Sequence, residues 1–339
     1  MKSRTTARIP KTFALALLAA FLIAGCDVVT SLWQAPSPTF IPTPTLTATA
    51  TNTLTPTPTV TATATPTPTA TPTVVPLHVT VNLDPPQVKQ GHTLVIKISA
   101  NRGIITNAVL DERRLFFIPG TSGAWALVGI PVGSAVGTHP IQVSIADSMG
   151  TSVSVSLSVV VIGEDIGKEY IQIPSDRVNL LDAQLVQEEA QRLNQVFAII
   201  TPQQFWQGVF IWPHVGRVTS PFGIGRTYND GSTSFHGGID IAGEIGAPVV
   251  AANNGRVALA APLNVHGNAV ILDHGWGVYS GYYHLSEILV QEGQQVKQGE
   301  LIGRLGNSGL STGAHLHWEM RVGGILVNPL EWTERQIPE

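Results

Sequence analysis

Between residues 77 and 163 the chain is built of short apolar runs rich in β-branched and aromatic residues, each bounded by turn residues. His78-Val79-Thr80-Val81, Leu94-Val95-Ile96-Lys97-Ile98, Leu115-Phe116-Phe117-Ile118, Trp125-Ala126-Leu127-Val128, Ile141-Gln142-Val143-Ser144-Ile145 and residues 153–161 follow one another at strand-like spacing. That spacing predicts an antiparallel, immunoglobulin-like sandwich. In Ser152-Val153-Ser154-Val155-Ser156-Leu157-Ser158-Val159 the apolar residues take every second position, so one face can bury while serine meets solvent. Over residues 176–200 the period lengthens. Leu181, Leu185, Ala190, Leu193 and Phe197 form an apolar stripe against Glu188, Glu189 and Arg192, with Pro202 just beyond, which predicts a connector helix. Near the C-terminus, Ala314-His315-Leu316-His317-Trp318-Glu319-Met320 alternates again. As a strand it puts both imidazoles on one side and Leu316, Trp318 and Met320 on the other.

The first 76 residues lack such patterning. Residues 36–76 hold 17 Thr and 10 Pro and no charged side chain. Too little apolar surface is present to offset the entropy of ordering, and Pro-Thr repeats favour polyproline II at ~3.1 Å per residue, so this tether can reach up to ~130 Å. A disordered or O-glycosylated stalk of no fixed length describes it equally well. Upstream, Lys2, Arg4, Arg8 and Lys11 precede an uncharged apolar run over residues 13–24, too short to span ~30 Å of hydrocarbon. The run ends Leu22-Ile23-Ala24-Gly25-Cys26, which resembles the lipobox of bacterial lipoproteins, where a signal is removed ahead of an acylated cysteine. Cys26, the single cysteine of the chain, stands where that motif needs it. A plain signal peptide or short anchor with an incidental cysteine is the alternative.

These features predict five segments: a signal over 1–25, the tether over 26–76, the sandwich over 77–163, a connector with helix over 164–206, and a unit over 207–339 that carries the chemistry. Charge narrows the partners. Setting aside Lys2, Arg4, Arg8, Lys11 and Asp27 leaves 15 basic against 22 acidic side chains, a net of −7. That balance argues against nucleic acid as a partner, since phosphate recognition requires a basic surface. No ionisable cluster at metal or catalytic spacing falls in the sandwich. Asp111-Glu112-Arg113-Arg114 reads as a solvated loop or edge, and the sandwich as a spacer or interaction domain.

The C-terminal unit holds seven of the ten histidines. Two imidazoles facing one way from residues 315 and 317 are a polar liability unless something binds them, and zinc accepts neutral imidazole at ~2.0–2.1 Å. A catalytic zinc centre takes three protein ligands and leaves a position for water. In His236-Gly237-Gly238-Ile239-Asp240 a nitrogen and an oxygen donor sit at a loop entering a strand, the glycines permitting the turn. Each motif alone is weak. Together, and with His284 after Tyr282-Tyr283, they are specific.

At these residues a resemblance becomes plain. Residues 217–332, with Val218-Thr219-Ser220-Pro221-Phe222-Gly223, His236-Gly237-Gly238-Ile239-Asp240, Tyr283-His284-Leu285 and Ser311-Thr312-Gly313-Ala314-His315-Leu316-His317-Trp318-Glu319, resemble the lysostaphin-type zinc endopeptidases that cut peptidoglycan cross-links. The resemblance implies zinc (Zn2+) held by His236, Asp240 and His317, and a zinc-bound water as nucleophile. It implies His284 and His315 as catalytic histidines, with Tyr228 as a candidate oxyanion partner. It also implies an antiparallel β-sheet whose groove is walled by loops. Two neutral imidazoles and one carboxylate leave the centre at +1, enough for a Lewis acid that brings bound water toward pKa ~7. Ala314 stands where the family commonly has proline.

The expected class is therefore mainly β, an Ig-like sandwich followed by a lysostaphin-type metallopeptidase sheet, in an exported, lipid-anchored envelope protein that acts on peptidoglycan. The alternative is a non-catalytic peptidoglycan-binding or amidase-activating protein on the same fold. Gly309-Leu310-Ser311-Thr312-Gly313 matches the serine-hydrolase G-x-S-x-G, but no Asp follows it. His266 and His274 read as structural, and His214 as a residue outside the ligand set. The bond cut, in glycine-rich bridges or at D-amino acids, depends on the groove loops over residues 226–234 and 259–266.

Overall fold

A computed structural model of the chain describes residues 75–120, 123–229 and 231–338. The signal, Cys26 and the tether up to residue 74 lie outside the described residues. Residues 77–339 belong to one compact unit.

Its N-terminal part is a two-sheet sandwich. One sheet runs Val79–Asp84, Thr93–Ala100, Gly123–Gly129, Ile118–Gly120, and the other Gln87–Lys89, Ser152–Ile162, Gly137–Ala146, Ile104–Leu110, Arg113–Arg114. All pairings are antiparallel except that of Gln87–Lys89 with Ser152–Ile162. Leu94, Ile96 and Val128 of the first sheet meet Ile141, Val143 and Val159 of the second in one core. The serines of Ser152–Ile162 are exposed, as the alternation requires. Two local differences appear. Ile104–Leu110 pairs as a strand although Thr106 and Asn107 interrupt its apolar pattern, because Gly137–Ala146 supplies the ladder. The expected strand over 115–118 does not form as such: Arg113–Arg114, after a tight turn in which Asp111 has φ 53°, precedes it, residues 115–117 lie outside any strand, and Ile118–Gly120 begins at its last residue.

The connector forms a strand, Lys168–Ile171, then a 3-10 turn, Val178–Leu181, then the helix Ala183–Phe197. Asp182 caps this helix, accepting hydrogen bonds from the Gln184 and Leu185 amides at 2.9 and 3.4 Å. Its buried side chains are Val186, Glu189, Leu193 and Phe197. The expected stripe therefore shifts, and Glu189, placed on the solvent side by the sequence pattern, faces inward.

The C-terminal part is organised by one large sheet, in the order Val218–Ser220, Ile239–Ala242, His315–Val322, Val278–Leu285, Gly267–Gly275, Gly255–Leu263, Gln295–Val296, with Ile325–Val327 paired to His315–Val322 after a hairpin. Leu316, Trp318, Met320, Ile239, Ile241 and Tyr282 fill the core on one face. A second small sheet joins Lys168–Ile171, in parallel, to the hairpin Gly225–Tyr228 and Thr233–Phe235 that delivers His236. The sandwich packs onto the C-terminal part. Val95, Trp125 and Leu127 join the latter's core, the Thr93 amide donates to buried Glu331 at 2.9 Å, and Arg335 pairs with both Asp84 and Glu331 at 3.2 Å.

Candidate metal centre

Strand register brings two of the expected ligands together. Asp240 on Ile239–Ala242 lies directly across from His317 on His315–Val322, and such partners hold their Cβ atoms ~4.5–5.5 Å apart. His236 enters from the end of Thr233–Phe235, its amide bonded to the Ile224 carbonyl at 3.0 Å. Gly237 and Gly238 serve closeness of approach and not an unusual backbone angle, since neither has positive φ. A Cβ on Gly238 would lie 2.3 Å from the Trp318 carbonyl oxygen and 3.0 Å from the His317 ring.

The result is a convergent donor set. His236 Nε2 lies 3.0 Å from Asp240 Oδ1 and 3.0 Å from His317 Nδ1, and the last two atoms are 2.8 Å apart. All three ligand atoms fall within 4.8 Å of one another. The outward atom of each ligand is held by the protein. Pro221 O accepts from His236 Nδ1 at 2.9 Å, Glu319 Oε1 accepts from His317 Nε2 at 3.1 Å, and Arg226 donates to Asp240 Oδ2 at 2.8 Å. Carbonyl or carboxylate partners behind each histidine, and two nitrogens and one oxygen pointing inward, are what a tetrahedral zinc centre with an open position requires. The residues fit the ion.

Electrostatics agree. Burial disfavours the Asp240 carboxylate, yet hydrogen bonds from His236 and His317 hold its pKa well below the usual range. Burial likewise opposes protonation of His317, but Asp240 and Glu319 outweigh it and raise the pKa to about 9. Burial lowers that of His236. The Asp240 and Glu319 carboxylates thus favour positive charge at His317, while burial keeps His236 neutral.

Beside the triad stand His284 and His315, their rings 4.9 Å apart. His315 Nδ1 donates to the Gly313 carbonyl at 2.8 Å, leaving Nε2 at 3.5 Å from Asp240 Oδ1. His284 Nδ1 donates to the Ser308 carbonyl at 2.8 Å. His284 adopts φ 60°, a conformation that costs a side-chain-bearing residue on the order of 1 kcal/mol and collects at functional sites. Burial pushes both pKa values down, His284 the further because His315 and His317 face it. Each is held as a neutral imidazole whose free acceptor is Nε2.

The remaining candidates fall elsewhere. Tyr228 bonds Ser234 Oγ at 2.9 Å and packs against Ile173 and Leu181; among the described contacts it has none with the triad or with His284 and His315. His214 contacts the Pro248 carbonyl at 3.1 Å, and buried His274 bonds the Asn254 carbonyl and Ser280 at 2.7 Å each. Ser311, in the serine-hydrolase pattern, donates to Gly313 O at 2.7 Å and so steadies the carbonyl behind His315. Glu319 and Arg226 were not singled out by sequence reasoning. Glu319 had a signal, the same alternation that pairs His315 with His317. Arg226 had none, because its partners Glu169 and Asp240 come from segments far apart in the chain.

Comparison with known proteins places these residues in context. Residues 234–329 match Peptidase family M23. The chain is 41% identical over 114 residues to the DD-carboxypeptidase/endopeptidase Mpg of Neisseria meningitidis, covering 34% of this chain and 26% of that one. It is 38% identical over 137 residues to the murein hydrolase activator NlpD of Escherichia coli, covering 40% and 33% respectively. It thus spans about a quarter to two fifths of the length of the first curated relatives it matches. Among solved structures, that of an M23 peptidase candidate from Pseudomonas aeruginosa aligns with TM-score 0.51 and 25% identity over 75% of this chain and 97% of that one.

Proposed function

The chain carries a peptidase M23 domain of the lysostaphin type, and on that premise we propose that it is a zinc metalloendopeptidase of the cell envelope that hydrolyses peptide cross-links of peptidoglycan. The observation that carries the proposal is the set of three inward ligand atoms within 4.8 Å, with His315 Nε2 only 3.5 Å from one of them. Zinc bound by His236, Asp240 and His317 would polarise the scissile carbonyl and acidify a water molecule. His284 and His315 supply the proton handling. Tied through Nδ1 to Ser308 O and Gly313 O, each presents a neutral Nε2 that can take a proton from the attacking water and return it to the leaving amine. Arg226 draws Asp240 Oδ2 outward and leaves Oδ1 directed at the centre.

Similarity to the activator NlpD supports a second reading, a chain of this fold that acts through another hydrolase. Occupation of all five positions by the expected residue types favours catalysis. The rest of the chain fits an envelope role: an acylated Cys26, a tether, and a sandwich whose strand order we read as immunoglobulin-like and assign as a spacer or interaction domain. Mass spectrometry of a defined cross-linked muropeptide incubated with the zinc-loaded chain tests the proposal. Release of cross-link peptides is expected; stoichiometric zinc with no new fragment would leave the activator reading.

A further inference from the structure

The helix Ala183–Phe197 precedes the matched M23 segment, yet it sends a buried carboxylate toward the metal centre. Glu189 accepts three hydrogen bonds from one loop: from the Val265 amide at 2.6 Å, the His266 amide at 3.2 Å and His266 Nδ1 at 2.5 Å. Its residue is 5% exposed, and burial, which disfavours the carboxylate, is outweighed by His266. With Nδ1 so engaged, His266 Nε2 faces Glu319 Oε1 at 3.9 Å. The same oxygen accepts from His317 Nε2 at 3.1 Å. Tyr283, opposite His317 in the sheet, covers the His266 ring with centroids 4.6 Å apart. A continuous line of contacts therefore runs from the connector helix through His266 and Glu319 to the ligand His317.

We propose that Glu189 is a positioning residue of the metal centre: from the connector helix it fixes the His266 imidazole, which confines the carboxylate that backs the zinc ligand His317. The inference rests on the zinc reading above, and it extends the functional unit beyond residues 234–329 to include the connector helix. It also accounts for an inward-facing glutamate on an otherwise apolar helix face. A carboxylate with a hydrogen-bonded imidazole beside it costs less to bury than one alone, and the geometry places that imidazole where it limits the movement of Glu319.

Zinc affinity of the full chain, measured by chelator competition, tests the proposal. Glu189→Ala removes all three contacts, Glu189→Gln keeps an acceptor for one of the two amides while losing the other oxygen and the charge, and His266→Ala removes the intermediary. Because outer-shell partners typically change metal affinity 10- to 100-fold and Glu189 acts one step further out, each substitution is expected to weaken zinc binding roughly three- to tenfold. The Glu189→Ala/His266→Ala double variant should be no weaker than the worse single variant by more than about twofold. Glu188→Ala, on the exposed face of the same helix, serves as control and should bind as wild type. The absorption spectrum of the cobalt-substituted protein should shift in the Glu189 variants and not in Glu188→Ala. Variants that lose thermal stability without zinc but keep zinc affinity within twofold would overturn the proposal, as would additive losses in the double variant or a wild-type chain that binds no zinc. A wild-type chain that binds zinc but cleaves nothing would refute the endopeptidase reading and leave this one standing.

Discussion

Replacing Glu319 by glutamine probes how the protein sets the strength of one proposed zinc ligand. Glu319 is buried, its Oε1 is 3.1 Å from His317 Nε2, and Arg321 binds its Oε2 at 3.1 Å. A hydrogen bond to a charged group contributes ~1.5–3 kcal/mol against ~0.5–1.5 for a neutral one, so the amide should weaken intrinsic zinc affinity by ~1–1.5 kcal/mol, about tenfold. Protons act in the opposite sense. In the metal-free chain burial opposes the His317 imidazolium, but Asp240 and Glu319 hold its pKa at about 9. Zinc at Nδ1 must displace that proton, and at pH 7 the competition reduces apparent affinity by about two powers of ten. Removing the Glu319 charge lowers this pKa and relieves part of the competition. Chelator competition from pH 7 to 9.5 should therefore give wild-type affinity that rises about tenfold per pH unit and levels near pH 9. Glu319→Gln should level at lower pH and finish about tenfold weaker. Parallel curves, or equal affinities at pH 9.5, would refute the reasoning.

Gly238→Ala places a Cβ 2.3 Å from Trp318 O, so the ligand strands must separate; zinc affinity should fall by more than tenfold and thermal stability by ~1–3 kcal/mol, whereas Gly313→Ala, with open space around its Cβ, should keep both. Burial holds the His274 pKa at about 4 against 6.5 for the free side chain. The folded chain then binds fewer protons than the unfolded one between these values, so this contribution is fully present above pH 6.5 and is lost on acidification toward pH 4, by about 3 kcal/mol. Urea unfolding of the metal-free chain at pH 7 and 4.5 should show that loss in wild type and a smaller one in His274→Gln; identical pH dependence in both would contradict it. If Cys26 is acylated as proposed, Cys26→Ser should move the chain from membrane to soluble fractions, and unchanged fractionation would count against acylation.

The legible parts of this molecule were those whose signal is local. Alternation in Ser152–Ile162 and in His315–Val322 gave the correct faces because a strand has a period of two regardless of what pairs with it. His236 and Asp240 share one short motif and His317 lies in another, and the resemblance carried by those motifs is what groups the three. Glu189, Glu169 and Arg226 were not legible, since Glu189 and Glu169 meet partners more than fifty residues away, Arg226 bridges Glu169 and Asp240 from separate segments, and burial of a charge becomes acceptable only once those segments supply the donors. Ile104–Leu110 was missed for a related reason: Thr106 and Asn107 obscure its pattern, and its pairing comes from Gly137–Ala146, more than thirty residues on. Tyr228 was a candidate through the resemblance, which expects a tyrosine ahead of the first ligand, and the hairpin brings its hydroxyl to Ser234.

The central claim is that this chain itself breaks amide bonds through the five residues gathered at the metal centre. Incubation of purified sacculi with zinc-loaded wild type, His317→Ala and His284→Ala, following new amino groups over time, tests it most directly. Amino groups should accumulate with wild type alone, His317→Ala failing to retain zinc and His284→Ala retaining zinc without turnover. Zinc-loaded wild type that releases no amino groups, or a His284→Ala variant as active as wild type, would contradict the account.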